Sequence, residues 1–172
     1  MNTKKQRIVN YLTRLDDNRT AERVAELVVQ WCYDKFGPSK YSPFIPDVSI
    51  STEDDTNLLG EYVSDDNEII LYWSELENKR TKHFITTIIH EYQHYLQDPK
   101  WYSRYLNMLT LKEIDNESHP YEQQADRVAL ANWNECFYDT VNKYCTRNSE
   151  NEQIKNTLIS NLGITPKNVV GE

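Results

Sequence analysis

Apolar residues change their spacing twice along the chain, from helical to alternating and back. Ile8, Tyr11, Leu12 and Leu15 recur three to four positions apart and predict a short first helix. Thr20 reads as the N-cap of a second helix, with Ala21, Val24, Ala25, Val28, Trp31 and Cys32 on one face and a stop near Gly37-Pro38. Pro38, Pro43 and Pro46 mark a loop. Val48 and Ile50 then alternate with Ser49 and Ser51. Leu59-Gly60-Glu61-Tyr62-Val63 leads through the polar turn Ser64-Asp65-Asp66-Asn67 into Glu68-Ile69-Ile70-Leu71-Tyr72-Trp73. That pattern predicts a small sheet with one hairpin.

From Glu75 the period is helical again. Ile85, Ile88, Ile89, Tyr92 and Leu96 form one stripe. Asp98-Pro99 is an N-cap followed by proline at the first helical position, opening a helix through Tyr102, Tyr105, Leu106 and Leu109. His119-Pro120 repeats that signal for a helix carrying Ala125, Val128, Ala129, Trp133, Cys136, Phe137 and Tyr144. Ser149 and Glu152 form a capping box for a last helix through Leu162, stopped by Gly163. A small sheet followed by packed helices gives the α+β class. We expect one domain over 1–164, with residues 1–36 as a helical pair packed on it and 165–172 as a flexible tail.

Composition narrows the function classes. The 172 residues are 38% hydrophobic and 27% charged, enough for one real core. A net charge of −8 disfavours direct nucleic-acid binding and an anionic membrane surface. No apolar run is long enough for a membrane span, and the N-terminus does not read as a signal peptide. Cys32, Cys136 and Cys145 are odd in number and widely scattered, which fits thiols in a reducing compartment rather than a disulfide framework. A cytoplasmic location is the expectation. With four glycines in the chain, no glycine-rich phosphate cradle is present.

The chemistry concentrates in one segment. His90-Glu91-Tyr92-Gln93-His94 is an H-E-x-x-H sequence inside a predicted helix. Residues four apart on a helix differ by about 40° in azimuth and about 6 Å in rise, so both imidazoles can converge on one metal ion. Glu91 lies about 100° round from His90, where it can act as a base beside an open coordination position. The isoleucine stripe packs the helix from another side. A catalytic zinc site on three protein ligands needs one more donor. His119-Pro120-Tyr121-Glu122-Gln123-Gln124-Ala125-Asp126 offers two, Glu122 and, as the second choice, His119. Glu122 and Asp126 share a helical face, so one can bind the metal while the other accepts the outer N–H of a ligating histidine. His119, restricted by the proline after it, can instead cap the helix or line a cleft. His83, more than a turn upstream, reads as a surface residue at the helix start.

These residues resemble a small zincin metallopeptidase of the gluzincin type, in which an H-E-x-x-H helix is followed by a helix bearing a glutamate ligand and an acid four positions on. The short spacing from His94 to Glu122 and the run Glu122-Gln-Gln-Ala125-Asp126-Arg-Val-Ala129 are similar to ImmA/IrrE-like and related minimal zincins. The resemblance covers about residues 45–145. Tyr92-Gln93 replaces the small residues common between the histidines, and Lys100 stands where metzincins carry a third histidine. The resemblance implies a minimal zincin-like fold with a small, mainly antiparallel sheet whose edge strand can hold an extended peptide. It implies one Zn2+ per chain on His90, His94 and Glu122, with Asp126 behind a ligand and Glu91 as general base. Tyr121 and His119 are then the candidate oxyanion donors. The implied partner is a protein or peptide substrate.

Three functions compete on these residues. One is a zinc endopeptidase. Another is a catalytically silent zincin-like module that acts through protein–protein interaction. The third is a helical interaction protein in which the motif is accidental. Tyr92, Tyr95, Tyr102, Tyr105 and Tyr121 cluster around the site in sequence, and fit packing between helices or an aromatic cleft. Nothing in the chain states an oligomeric order.

Overall fold

The most apolar strand of the chain takes the middle of the sheet, and this choice places everything around it. The computed structural model describes residues 19–53, 57–76, 81–111 and 119–145. The elements are α1 (Arg19–Phe36), β1 (Asp47–Ser51), β2 (Gly60–Val63), β3 (Glu68–Tyr72), α2 (Trp73–Leu76), α3 (Thr81–Leu96), α4 (Pro99–Thr110) and α5 (Pro120–Cys145). The helix expected through Leu15, the capping box at Ser149, the helix through Leu162 and the 165–172 tail lie outside the described residues.

The fold is α+β. The sheet order is β1-β3-β2, with β1 parallel and β2 antiparallel to β3. The expectation of a mainly antiparallel sheet is therefore corrected to a mixed one. Ile69-Ile70-Leu71-Tyr72 is the strand best suited to bonding on both edges, so it lies between the more polar β1 and β2. The hairpin turns through Asn67, at φ 51, whose amide Nδ2 donates to the carbonyls of Phe44 and Ile45. That ties the turn to the loop before β1.

The expected core stripe holds. Ile85, Ile88, Ile89 and Tyr92 of α3 are buried against Val24, Ala25, Val28 and Cys32 of α1, Ile69 and Leu71 of β3, and Ala129, Cys136 and Phe137 of α5. Trp31 donates from its indole N–H to Asp139 at 2.8 Å, closing α1 on α5. Gly37, at φ +80, ends α1 where the sequence places its stop, a backbone conformation glycine takes without strain. The loop that follows is stapled to α3. Tyr92 donates to Gly37 O at 2.7 Å, and Tyr95 donates to Ser42 O and accepts from Ser39 N. Cys32 and Cys136 are buried free thiols.

Three details differ from the sequence reading. Thr20 lies inside α1, which already includes Arg19, so it is not the cap of that helix. Trp73 opens α2 rather than closing β3; it stays buried while the backbone changes. On α4 the expected stripe is only partly covered: Tyr105 is buried, but Tyr102 and Leu106 are 42% and 43% exposed. Here α4 meets the start of α5 through Tyr105 and Tyr121, whose rings stack at 5.2 Å, and not along its whole length. The Asp98 cap and Pro99 start are as read, with Asp98 accepting from Lys100 N.

Gly60 sits where β2 crosses α3. A Cβ there would meet the Thr87 methyl at 2.9 Å and Ile70 O at 3.0 Å. The Thr87 hydroxyl bonds His83 O at 2.6 Å, which holds that methyl in place. Gly60→Ala is expected to destabilise the protein by about 1–3 kcal/mol in urea unfolding. Thr87→Ser in the same chain should restore part of the loss, because it removes the methyl and keeps the hydroxyl bond.

Candidate metal centre

Helix α3 presents two faces, and His90 and His94 stand on the one that is not core. The first turn of α5 crosses them and delivers Glu122. His90 Nε2 and His94 Nε2 are 3.0 Å apart. Glu122 Oε2 is 3.0 Å from His90 Nε2, and Glu122 Oε1 is 3.5 Å from His94 Nε2. Of the two sequence candidates for a third donor, Glu122 joins the histidines and His119 does not.

The outer ring nitrogens decide what the inner ones are. His90 Nδ1 faces Asp126 Oδ1 at 2.8 Å, and a carboxylate can only accept, so Nδ1 carries the proton. His94 Nδ1 faces Gln97 Oε1 at 2.6 Å. The Gln97 amide is oriented by donating from Nε2 to Tyr121 O and Gln124 Oε1. His94 Nδ1 therefore donates as well. Both inner Nε2 atoms of the neutral rings are then lone-pair donors, aimed at each other and at a carboxylate. Only a cation, metal or proton, satisfies three such atoms at one point. Zinc bonds of about 2.0–2.1 Å in a tetrahedron set ligand–ligand edges of about 3.3 Å. The 3.0 Å between the two histidine nitrogens is near that scale, and the two Glu122 oxygens each lie at a similar distance from one of them, Oε2 at 3.0 Å from His90 and Oε1 at 3.5 Å from His94. Among the described residues these three alone gather their donor atoms, so a tetrahedral ion held there would keep a fourth position for another ligand.

Electrostatics describe the same competition. Burial opposes charge on His90, but its bond to Glu122 and the carboxylates of Glu91, Glu122 and Asp126 outweigh it and raise His90 to about 9. Burial also opposes charge on Glu122, but the two histidines overcome it and lower the group to about 2. Glu91 is different. It is buried, 3.9 Å from His90 Nε2, and burial raises its pKa against the opposing pull of His94 and His90. Tyr62 supplies it with a backbone hydrogen bond.

That bond follows from the sheet. Tyr72 N donates to Leu59 O just before β2, so by alternation Glu61 and Val63 are the β2 residues hydrogen-bonded to β3, and the backbone groups of Gly60 and Tyr62 face the free edge. The edge strand thus runs beside Glu91.

The remaining sequence candidates take distinct places. The Tyr121 ring stacks on His94 at 4.2 Å and 10° and is buried, so it walls the site. Burial and then Glu122 raise its phenol well above the usual range. His119 is buried and its Nδ1 accepts from Tyr121 N at 3.0 Å, the capping alternative of the sequence reading. Its ring packs beside Tyr105 and Trp101 rather than among the inner donors. His83 is exposed at the start of α3. Gln97 is the residue that sequence reasoning missed. It lies three positions after His94, just past the end of α3, and that spacing was its only signal. Tyr105 also borders the site: burial, then the Glu122 charge, raises it to about 12.

No family model matches the chain, and no curated protein and no solved structure matches it.

Two expectations follow from this geometry. A zinc ion entering this centre would have to displace the proton on His90, whose pKa of about 9 lies above neutrality. Binding near neutral pH should release about one proton per site, and apparent affinity should weaken as pH falls. Titration calorimetry in buffers of different ionisation heat reads this directly. In metal-stripped protein the His90 contribution to stability is complete below its ordinary 6.5 and is lost as pH rises through about 9, the direction expected for a raised pKa. Separately, Asp126→Ala and Gln97→Met should each weaken zinc binding by about 10–100-fold with all three inner donors intact, as measured by chelator competition.

Proposed function

We propose that this chain is a zinc-dependent metallopeptidase, a small zincin of the gluzincin type, that hydrolyses peptide bonds in a protein or peptide substrate. The observation that carries the reading is the convergence of His90, His94 and Glu122, three donors and no fourth among the described residues, beside a buried carboxylate that is not in the set. Structural zinc sites close with four protein ligands; hydrolytic ones keep three and an opening.

Zinc held there would supply Lewis acidity toward a scissile carbonyl and lower the pKa of a water molecule. The residues of the chain do the rest. Glu91, raised by burial, accepts the proton of the attacking water and delivers it to the leaving amine nitrogen. The Tyr62 N–H orients Glu91 while the same free edge of β2 offers backbone groups to an extended peptide. Asp126 and Gln97 hold the two rings in the Nδ1–H form. Tyr121, stacked on His94, is the nearer of the two sequence candidates for a donor to the oxyanion. A catalytically silent binding module of the same ancestry is the alternative. No helix among the described residues is long and apolar enough to cross a membrane.

Metal content separates the readings. Protein purified without an affinity metal should carry about one zinc per chain, lost in His90→Ala and Glu122→Ala. Glu91→Gln should keep the zinc and lose at least about 100-fold in cleavage of a mixed peptide library. Zinc without cleavage in the wild-type chain would favour the silent module, and no zinc after reconstitution would overturn both.

A further inference from the structure

A cleft of about 250 Å3 opens beside His94, walled by the loop before β1, the hairpin turn, the end of α3 and the starts of α4 and α5. Two of its wall residues, His94 and Tyr121, belong to the metal centre, so a peptide seated there passes its mouth. Its volume is below that of sites for drug-sized molecules and suits one side chain. The wall chemistry is selective. Tyr62, Tyr95, Tyr102 and Tyr121 present ring surfaces, and Asp65 and Asp98 supply carboxylates. Among the described residues no lysine or arginine lines the cleft. Asp65 is exposed on the hairpin turn and Asp98 is half-buried at the α4 cap, so the acids stand on two different elements.

We infer that this cleft is the specificity subsite of the peptidase and that it takes a cationic side chain, lysine or arginine, of the substrate. This deepens the metallopeptidase reading and rests on it. The aliphatic stem of such a side chain packs along the tyrosine rings, and its charged head is attracted by ring faces and by carboxylates. A glutamate side chain would meet two like charges. An aliphatic side chain such as norleucine would gain the ring contacts and forgo the charge, so lysine against norleucine isolates the proposed term.

The test uses the full zinc-loaded chain and quenched-fluorescent peptides that place lysine, norleucine or glutamate at each position around a central bond. Binding of the same peptides to zinc-loaded Glu91→Gln is read by anisotropy. Lysine is expected to exceed norleucine by about tenfold at one position, in kcat/KM and in affinity, with glutamate weakest. In the Asp65→Asn, Asp98→Asn double variant that ratio should fall toward one. Asparagine keeps the α4 cap, so the fold is retained while the charge is lost. Cleavage without a lysine preference, or with a preference that survives the double variant, overturns the subsite and leaves the peptidase standing. Selective binding of lysine peptides with no cleavage by the wild-type chain overturns the peptidase and leaves the subsite. Neither cleavage nor selective binding overturns both.

Discussion

Two imidazole nitrogens and a carboxylate pointed at one place repel each other unless a cation sits among them. In this protein the arrangement is imposed from outside the centre. Asp126 and Gln97 take the outer N–H of each ring, which turns both inner nitrogens inward. The first turn of α5 then brings Glu122 within 3.0 Å of His90. None of this survives a shift between α3 and α5. The apolar core that α3 and α5 share, with Ile88 and Ile89 from one and Ala129, Cys136 and Phe137 from the other, is therefore part of the centre's construction and not merely its foundation. Packing energy is spent on holding three donors where, alone, they would move apart.

The sheet contributes through its order more than its size. Placing β3 in the middle leaves β2 as an edge, and the edge runs past Glu91. An unpaired strand edge is ordinarily a liability, because its free backbone groups can template aggregation. Here one of those groups has a job, since the Tyr62 N–H meets the Glu91 carboxylate. The close fit of Gly60 over Thr87 fixes how far the strand stands from the helix. The loop before β1, pinned by Tyr92, Tyr95 and Asn67, then closes one wall of the cleft. Strand order, the glycine crossing and the cleft are thus consequences of one another.

Features set by local chemistry were legible in the sequence. The isoleucine stripe, the Gly37 stop, the Asp98-Pro99 start and the pairing of His90 with His94 each depend on residues within one or two turns. The joint use of Glu122 and Asp126 was readable for the same reason, once the first motif gave them a target. What could not be read depends on distant partners. The parallel pairing of β1 with β3 joins segments about twenty residues apart through an intervening strand, and alternation alone says nothing of strand order. Gln97 carried only its spacing from His94, and its amide gains meaning from Tyr121 O and Gln124 on another helix. Tyr102 and Leu106 repeat at helical spacing, yet whether a neighbour covers them is a tertiary matter.

Glu91 is the residue that most separates a working peptidase from a silent relative. A carboxylate with no ligand role and little access to water costs stability unless something recovers it. Its partners recover only part: the histidines oppose the rise in its pKa, but burial wins. A protein that needed only a folded metal site would do better with an apolar residue here, packed beside Ile88 and Ile89, or with a fourth ligand to close the centre. Keeping an awkward, raised carboxylate beside a three-donor set is costly for stability and useful for moving protons. That imbalance is the physical reason to favour hydrolysis over binding.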